Sequence, residues 1–243
     1  IGVESDEDMF ALAFSNMILH GDGKSNLYKG NCFENFDVET NEEDKQVKFE
    51  DKIKELQPNK ALMNPPYNDD AAPDFILRLV QLLKIAGNGT RTAVVIAPSG
   101  CLRKKIETTK KIFQIAKLKA VVDMNIGLFT SQKISAKTSI FVFEVGEKHS
   151  GETYFYDFKN DGYRYSERKM EDLGSFQEIK EKALNDIREQ TICAQGYKTK
   201  VDETTFENTI YVSKNEGQLT NIDFIRTVVN YSIFELQEAL NEK

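Results

Sequence analysis

Between residues 60 and 145 short apolar runs alternate with segments of helical period. That alternation constrains the fold more than any other feature of the chain. "KALMN" (60–64) is a brief apolar run closed by two prolines. Residues 73–86, "PDFILRLVQLLKIA", set apolar side chains at helical spacing, with Pro73 near the first turn and "GNG" after the end. "TAVVIAP" is continuously apolar, the pattern of a strand buried on both faces. A basic helix over about 102–116 follows, then strands at "LKAVVDM" and "SIFVFEV" on either side of a loop at 125–137. Such strand–helix alternation predicts an α/β fold, a mostly parallel sheet with helices on both faces.

The flanks read less clearly. "IGVE" reads as the end of a strand, and Asp6 or Ser5 caps a helix over 7–20 whose Phe10, Ala13, Phe14 and Met17 follow helical spacing. "NLYKG" is a short strand, and 34–58 reads as an acidic loop with a helix inside it. Past residue 150, "ETYFYDF" reads as a strand, "NDGYRYS" as a turn, 175–190 as a polar helix and 194–220 as a polar loop. Residues 221–241 repeat Ile222, Ile225, Val228, Val229, Ile233, Leu236 and Leu240 at helical spacing.

Composition narrows the function classes. A chain of 243 residues with 40% hydrophobic side chains can bury a real core. No apolar run approaches the roughly 18 residues of a membrane span. No signal peptide is visible, and the chain does not begin with Met, so Ile1 reads as an internal starting point. Cys32, Cys101 and Cys193 are widely spaced, without zinc spacing or a disulfide framework. That usage fits a reducing cytoplasm. The net charge of −7 argues against a stand-alone nucleic-acid binder. Charge is unevenly spread: residues 34–51 are strongly acidic, whereas 102–119 carry Arg103, Lys104, Lys105, Lys110, Lys111, Lys117 and Lys119 against Glu107. The simplest reading of that basic run is a solvated helix face.

The abrupt end of "KALMN" carries chemistry. Pro65 and Pro66 have fixed φ and no N–H, and each holds its predecessor extended. The Pro65 carbonyl then points outward beside the Asn64 amide oxygen, with the Tyr67 ring adjacent. Two acceptors fixed close together suit a flat molecule bearing an NH₂ group. The carboxyl end of a strand is also where open α/β sheets bind ligands. An exocyclic adenine amine is a poor nucleophile because its lone pair is delocalised into the ring. Two acceptors on its hydrogens favour a pyramidal nitrogen with the lone pair out of plane, which is catalysis by positioning and electrostatics. An Asn-Pro turn is the alternative for the dipeptide alone.

"NPPY" resembles the catalytic motif of S-adenosylmethionine-dependent amino methyltransferases. "ALAFSNMILHGDG" before it, and "DFILRLVQLLK", "TAVVIAPSGCL" and "GLFTSQKISAKTSIFVFE" after it, stand in the order seen in modification subunits of type I restriction–modification systems, the N6-adenine DNA methyltransferase class. The resemblance covers about residues 1–165. It implies a Rossmann-like methyltransferase sheet and an S-adenosylmethionine cofactor, with no metal. By position it makes Glu4 the acid for the cofactor ribose and Asn31 and Cys32 the adenine contacts. Phe75 is a further candidate at the cofactor, with core packing its alternative. Asn64, Pro65, Pro66 and Tyr67 are the catalytic motif. Phe129, the stacking residue, and Lys133 fall to the substrate, the base being sandwiched by Tyr67 and Phe129; core packing is the alternative for Phe129, and a plain surface position for Lys133 and Lys137. Asn31 stands where the family prefers Asp, and the glycine-rich motif expected before "IGVE" is absent from the sequence.

The resemblance implies methyl transfer to adenine N6 in DNA, with partners in DNA, a specificity subunit and a restriction subunit, and a homodimer within the complex as one arrangement. Residues 1–165 are then a catalytic core lacking its first strand and glycine motif. Residues 166–243 are a mostly helical extension, with 221–241 a candidate docking helix. "NPPY" also serves enzymes acting on RNA adenine or release-factor glutamine; a catalytically incompetent structural fragment is a third reading.

Overall fold

The computed structural model describes residues 1–21, 26–39, 46–67, 70–129, 136–166 and 169–212. Lys133 and the 221–241 segment lie outside the described residues. In chain order the elements are β1 (Gly2–Glu4), α1 (Glu7–Leu19), β2 (Leu27–Lys29), β3 (Asp37–Glu39), β4 (Gln46–Lys48), α2 (Phe49–Leu56), β5 (Lys60–Met63) and α3 (Ala72–Ile85). There follow β6 (Arg91–Pro98), α4 (Ile106–Phe113), β7 (Ala116–Met124), β8 (Thr138–Val145), β9 (Glu152–Phe158), β10 (Tyr163–Tyr165), β11 (Met170–Asp172), α5 (Phe176–Glu189) and β12 (Gly196–Lys200).

Six strands form the central sheet in the order β12-β9-β7-β8-β6-β5. β5 runs parallel to β6, and β7 parallel to β9. β8 inserts antiparallel between β6 and β7. β5, β6, β7 and β9 thus point one way, as the sequence predicts, and β8 and β12 reverse. The predicted mostly parallel sheet is therefore mixed. The reversal of β8 makes it an adjacent antiparallel partner of β7, an arrangement that needs no crossover connection.

α3 and α4 cover one face. Ile76, Val80, Leu83, Ile112 and Phe113 pack there with Ala93, Val95, Leu118, Phe141 and Phe143. α5 covers part of the other, its Ala183 packing with Ala120, Val122, Tyr154 and Tyr156. β6 alternates buried and half-buried residues, so it is not sealed on both faces as its apolar run suggests. Cys101 lies in the core, where burial pushes its thiol up to about 12. The expected basic helix is split into a 3-10 turn at Cys101–Arg103 and α4, with Lys105 non-helical between them (φ −125°, ψ 79°). Four cations of the basic run are met at the surface: Lys104 by Asp70, Lys105 by Asp74, Lys110 by Glu107 and, on β7, Lys119 by Glu144.

β1 and β2 pair in parallel as a separate ribbon. Val3 and Tyr28 anchor it to α2 and the end of α3 through Phe49, Ile53 and Ala86. Among the described residues β5 is hydrogen-bonded only to β6, so its other edge is open. On β5 Leu62 is 83% exposed. No residue of α1 is buried, and Leu19 is 81% exposed.

Two short hairpins and one strand were not expected. β3–β4 sits in the acidic stretch, and β10–β11 spans the predicted turn. β12, within the predicted polar loop, joins the sheet beside β9. There Tyr197 stacks on Phe155 at 5.3 Å and 14°. The segment from 166, expected to be mostly helical, is mixed over its described part. Each missed strand has three to five residues, too few for a period of two to register.

Candidate active site

The motif begins where β5 stops. Met63 pairs with Val95, and Asn64 follows at the carboxyl end of the parallel pair. Asn64 and Pro66 are exposed and Pro65 is buried. Among the described residues neither the Asn64 side chain nor the Pro65 carbonyl has a hydrogen-bond partner. Both acceptors are therefore open. Tyr67 turns inward, and its hydroxyl is buried without a partner among the described residues. Burial raises its pKa above the usual phenol value. A buried donor left unpaired costs about 1–3 kcal/mol.

Phe129 meets Tyr67 edge to face, with centroids 5.3 Å apart and planes at 80°. The two rings predicted to sandwich a base are together, but in contact with each other. A base between them needs parallel faces about 7 Å apart, twice an ordinary carbon contact distance. The rings must part and one must rotate.

The loop carrying Phe129 is tied down at both ends. Asn125 donates through Nδ2 to the Lys159 carbonyl at 2.6 Å and accepts from the Gly127 N–H at 2.9 Å. Gly127 packs so tightly on Tyr165 that a Cβ there would lie 2.3 Å from the Tyr165 Cβ. Asp123, fully buried in β7 just before the loop, reaches across to its far end. Its Oδ1 accepts from Ser139 Oγ at 3.1 Å and from Ser99 Oγ at 3.3 Å. Its Oδ2 faces Lys159 Nζ at 3.2 Å and Lys137 Nζ at 3.6 Å. Lys137 is thus held by a carboxylate. Asp123 went unnoticed in the sequence, although an acid inside "AVVDM" is the available signal.

The expected cofactor residues form a second group. The Gly30 N–H donates to the Glu4 carbonyl at 3.0 Å, which sets the ends of β1 and β2 side by side. Glu4 Oε1 accepts from the Asp6 N–H at 2.8 Å, so one carboxylate oxygen serves the start of α1. Asn31 Oδ1 accepts from the Phe33 N–H at 3.1 Å, and its Nδ2 donates to Glu34 Oε1 at 2.9 Å. Cys32 is half-buried, and burial raises its thiol pKa. Phe75, on the first turn of α3, is half-buried and meets Phe33 edge to face at 4.6 Å. Phe33, 44% exposed, was not singled out in the sequence, nor was Arg78, which grips the same loop. Among the described residues no hydrogen bond, ion pair or ring contact joins this group to Asn64, Tyr67 and Phe129. No cluster of metal-ligating side chains is found among the described residues.

A mixed sheet in which β8 and β12 reverse, with an Asn-Pro-Pro-Tyr stop at the carboxyl end of β5, fits the class of Rossmann-like methyltransferases. The chain matches the N-6 DNA Methylase family over residues 1–219, and it belongs to that family. It is 26% identical over 263 aligned positions to the Type II restriction enzyme and methyltransferase RM.BcgI of Heyndrickxia coagulans, covering 100% of this chain and 38% of that protein. A modification subunit of a putative type I restriction enzyme from Vibrio vulnificus YJ016 superposes with a TM-score of 0.56 at 15% identity, covering 90% of this chain and 48% of that one. The type I restriction-modification methyltransferase subunit of Streptococcus thermophilus gives 0.57 at 19% identity, with 87% and 48% covered. The chain therefore spans half or less of the length of these relatives.

Proposed function

We propose that this chain is the greater part of a methyltransferase core that moves a methyl group from S-adenosylmethionine to the N6 amine of adenine in DNA, as modification subunit of a type I restriction–modification system. The observation that carries this reading is the open acceptor pair, Asn64 Oδ1 and the Pro65 carbonyl, at the end of β5 in a chain of this family. Those acceptors take the two amine hydrogens and turn the nitrogen lone pair out of the ring plane. Stacked adenine cannot offer that amine in line with a sulfonium, so the base leaves the helix. Tyr67 and Phe129 part to receive it. Glu4 takes the ribose hydroxyls through its second oxygen. Asn31, Cys32 and Phe75 contact the cofactor adenine, and Lys133 the substrate. S-adenosylmethionine supplies the methyl group; the protein orients both partners.

The type I relatives support DNA as substrate and assembly into a complex; the partners of this reading are a separate specificity subunit and a restriction subunit, in the cytoplasm. A homodimer within that complex is one arrangement, and 221–241 is the docking candidate. The test is transfer of a labelled methyl group by the full-length protein to unmethylated duplex DNA, tRNA and release factor. Label in N6-methyladenine of DNA is expected. Label in RNA or protein alone would move the chain to the other substrate classes, and none anywhere would make it structural.

The open edge of β5, the separate β1–β2 ribbon and the bare Leu62 and Leu19 support a second point. Residues 1–165 are a catalytic core lacking its first strand and glycine-rich loop, and that strand would lie between β1 and β5. An open strand edge beside an exposed Leu62 is a ready template for a further strand. Residues 1–243 alone should then bind S-adenosylmethionine more weakly than the full-length protein, by calorimetric titration. Equal affinity would show that the ribbon needs no such strand.

Phe129→Ala should weaken the flipped-base complex by about 1–3 kcal/mol, the worth of one base–aromatic stack. A fluorescent adenine analogue at the target reports it. Unchanged fluorescence and KM for DNA would return Phe129 to plain packing.

A further inference from the structure

We infer that Arg78 is a positioning residue for cofactor binding, a clamp that sets the Cys32–Glu34 backbone in the geometry the adenine meets. The inference rests on the S-adenosylmethionine reading above and goes beyond it, because that reading gives Arg78 no role.

The segment after β2 is an exposed turn. The Glu34 N–H donates to the Asn31 carbonyl at 2.9 Å, and Asn31 closes the turn with its own side chain. Those bonds shape the turn without fixing it to the body of the protein. Arg78 does that. Its Nε donates to the Cys32 carbonyl at 2.8 Å, and Nη2 to the Glu34 carbonyl at 3.3 Å. Nη1 donates to Glu50 Oε1 at 2.8 Å, in an ion pair where the Arg78 side chain is 15% exposed. Glu50 is itself tied to the loop, since its N–H donates to Asn35 Oδ1 at 2.9 Å. All three guanidinium nitrogens are engaged. The planar fork fixes direction as well as distance, which a lysine cannot do.

The clamp has a rigid base. Arg78 sits on α3 between Ile76 and Val80, both fully buried. Phe75 and Arg78 are spaced i, i+3 and share one face of the helix. That face gives the loop an aromatic wall at Phe33 and a cationic grip at the backbone. The peptide unit is planar, so holding the Cys32 carbonyl inward also fixes the Phe33 N–H. The Cys32 N–H has no acceptor on another described residue. It is left for a ligand, and the orientation of its neighbours is what Arg78 controls. A purely structural Arg78 would instead serve only the packing of α2 on α3.

Cofactor affinity separates these roles. In the full-length protein, S-adenosylhomocysteine is titrated calorimetrically and kcat and KM are measured at saturating DNA. Arg78→Gln should raise Kd, and KM for S-adenosylmethionine, about tenfold, in keeping with the loss of charge-assisted bonds. The value of kcat at saturating cofactor should stay at the wild-type level. Arg78→Lys should recover part of the affinity, and Glu50→Gln, which keeps both carbonyl contacts, should lose less than Arg78→Gln. An unchanged Kd in a folded Arg78→Gln protein overturns the inference and leaves the cofactor reading standing. So does a Glu50→Gln loss equal to that of Arg78→Gln. If Arg78→Gln does not fold, Arg78→Lys decides: weaker cofactor binding at an unchanged melting temperature supports the clamp, and wild-type binding removes it. Wild-type protein that fails to bind S-adenosylhomocysteine overturns the cofactor reading and the inference together.

Discussion

Asn64→Ala in the full-length protein should lower the methylation rate about 10²–10³-fold, the usual consequence of removing one preorganised polar partner of a reacting centre. The side chain is exposed and has no partner within the described protein, so its loss should leave folding untouched. It also stands apart from Glu4, Asn31, Cys32 and Phe75, so S-adenosylhomocysteine should bind as before. The expected signature is a collapse of kcat at unchanged cofactor Kd and melting temperature. Asn64→Asp keeps an acceptor oxygen at this position and should keep more activity than the alanine variant. Matching losses of cofactor affinity and rate would mean that Asn64 faces the cofactor, and the amine geometry drawn here would be wrong.

Phe141→Ala should cost about 3–5 kcal/mol of folding stability, the range for emptying a fully buried aromatic site. Phe141 is wholly buried in β8, between β6 and β7, where it faces the side chains of α3 and α4. Every strand around it is hydrogen-bonded on both sides, so the cavity cannot close by a shift of an edge. Total stabilities of about 5–15 kcal/mol make such a loss close to unfolding. The midpoint of denaturant unfolding reads it. Ile126→Ala is the control, because that side chain is 60% exposed and surface changes typically stay within about 0.5 kcal/mol. Equal, small effects of both variants would place Phe141 outside the cooperative core.

What was legible in the chain was what local pattern encodes. α1 and α3 announce themselves by helical spacing, and the Asp6 cap is where the sequence predicts it. β5 to β9 are apolar or aromatic runs bounded by breakers, and each was found. The strand stop at Asn64 is legible because proline chemistry is local: it fixes φ and removes donors whatever surrounds it. The acceptor pair could therefore be argued before any coordinates.

What the tertiary structure decided depends on partners distant in sequence. Nothing in "SIFVFEV" tells that β8 runs backwards between β6 and β7, since side-chain alternation is the same in either direction. β12 becomes a strand because β9 offers it an edge and Phe155 offers its Tyr197 a ring to stack on. Arg78 looks like any charged residue on an amphipathic helix until the Cys32 and Glu34 carbonyls are brought to it from more than forty positions away. Asp123 likewise gains its meaning from Ser99, Ser139, Lys137 and Lys159, which arrive from three other strand ends. Periodicity and backbone stereochemistry are properties of neighbours along the chain, so the sequence by itself determined the elements and the chemical character of the motif. Strand direction, sheet order and the fate of a buried charge are set by which surfaces exclude water together, and only the folded chain decides that.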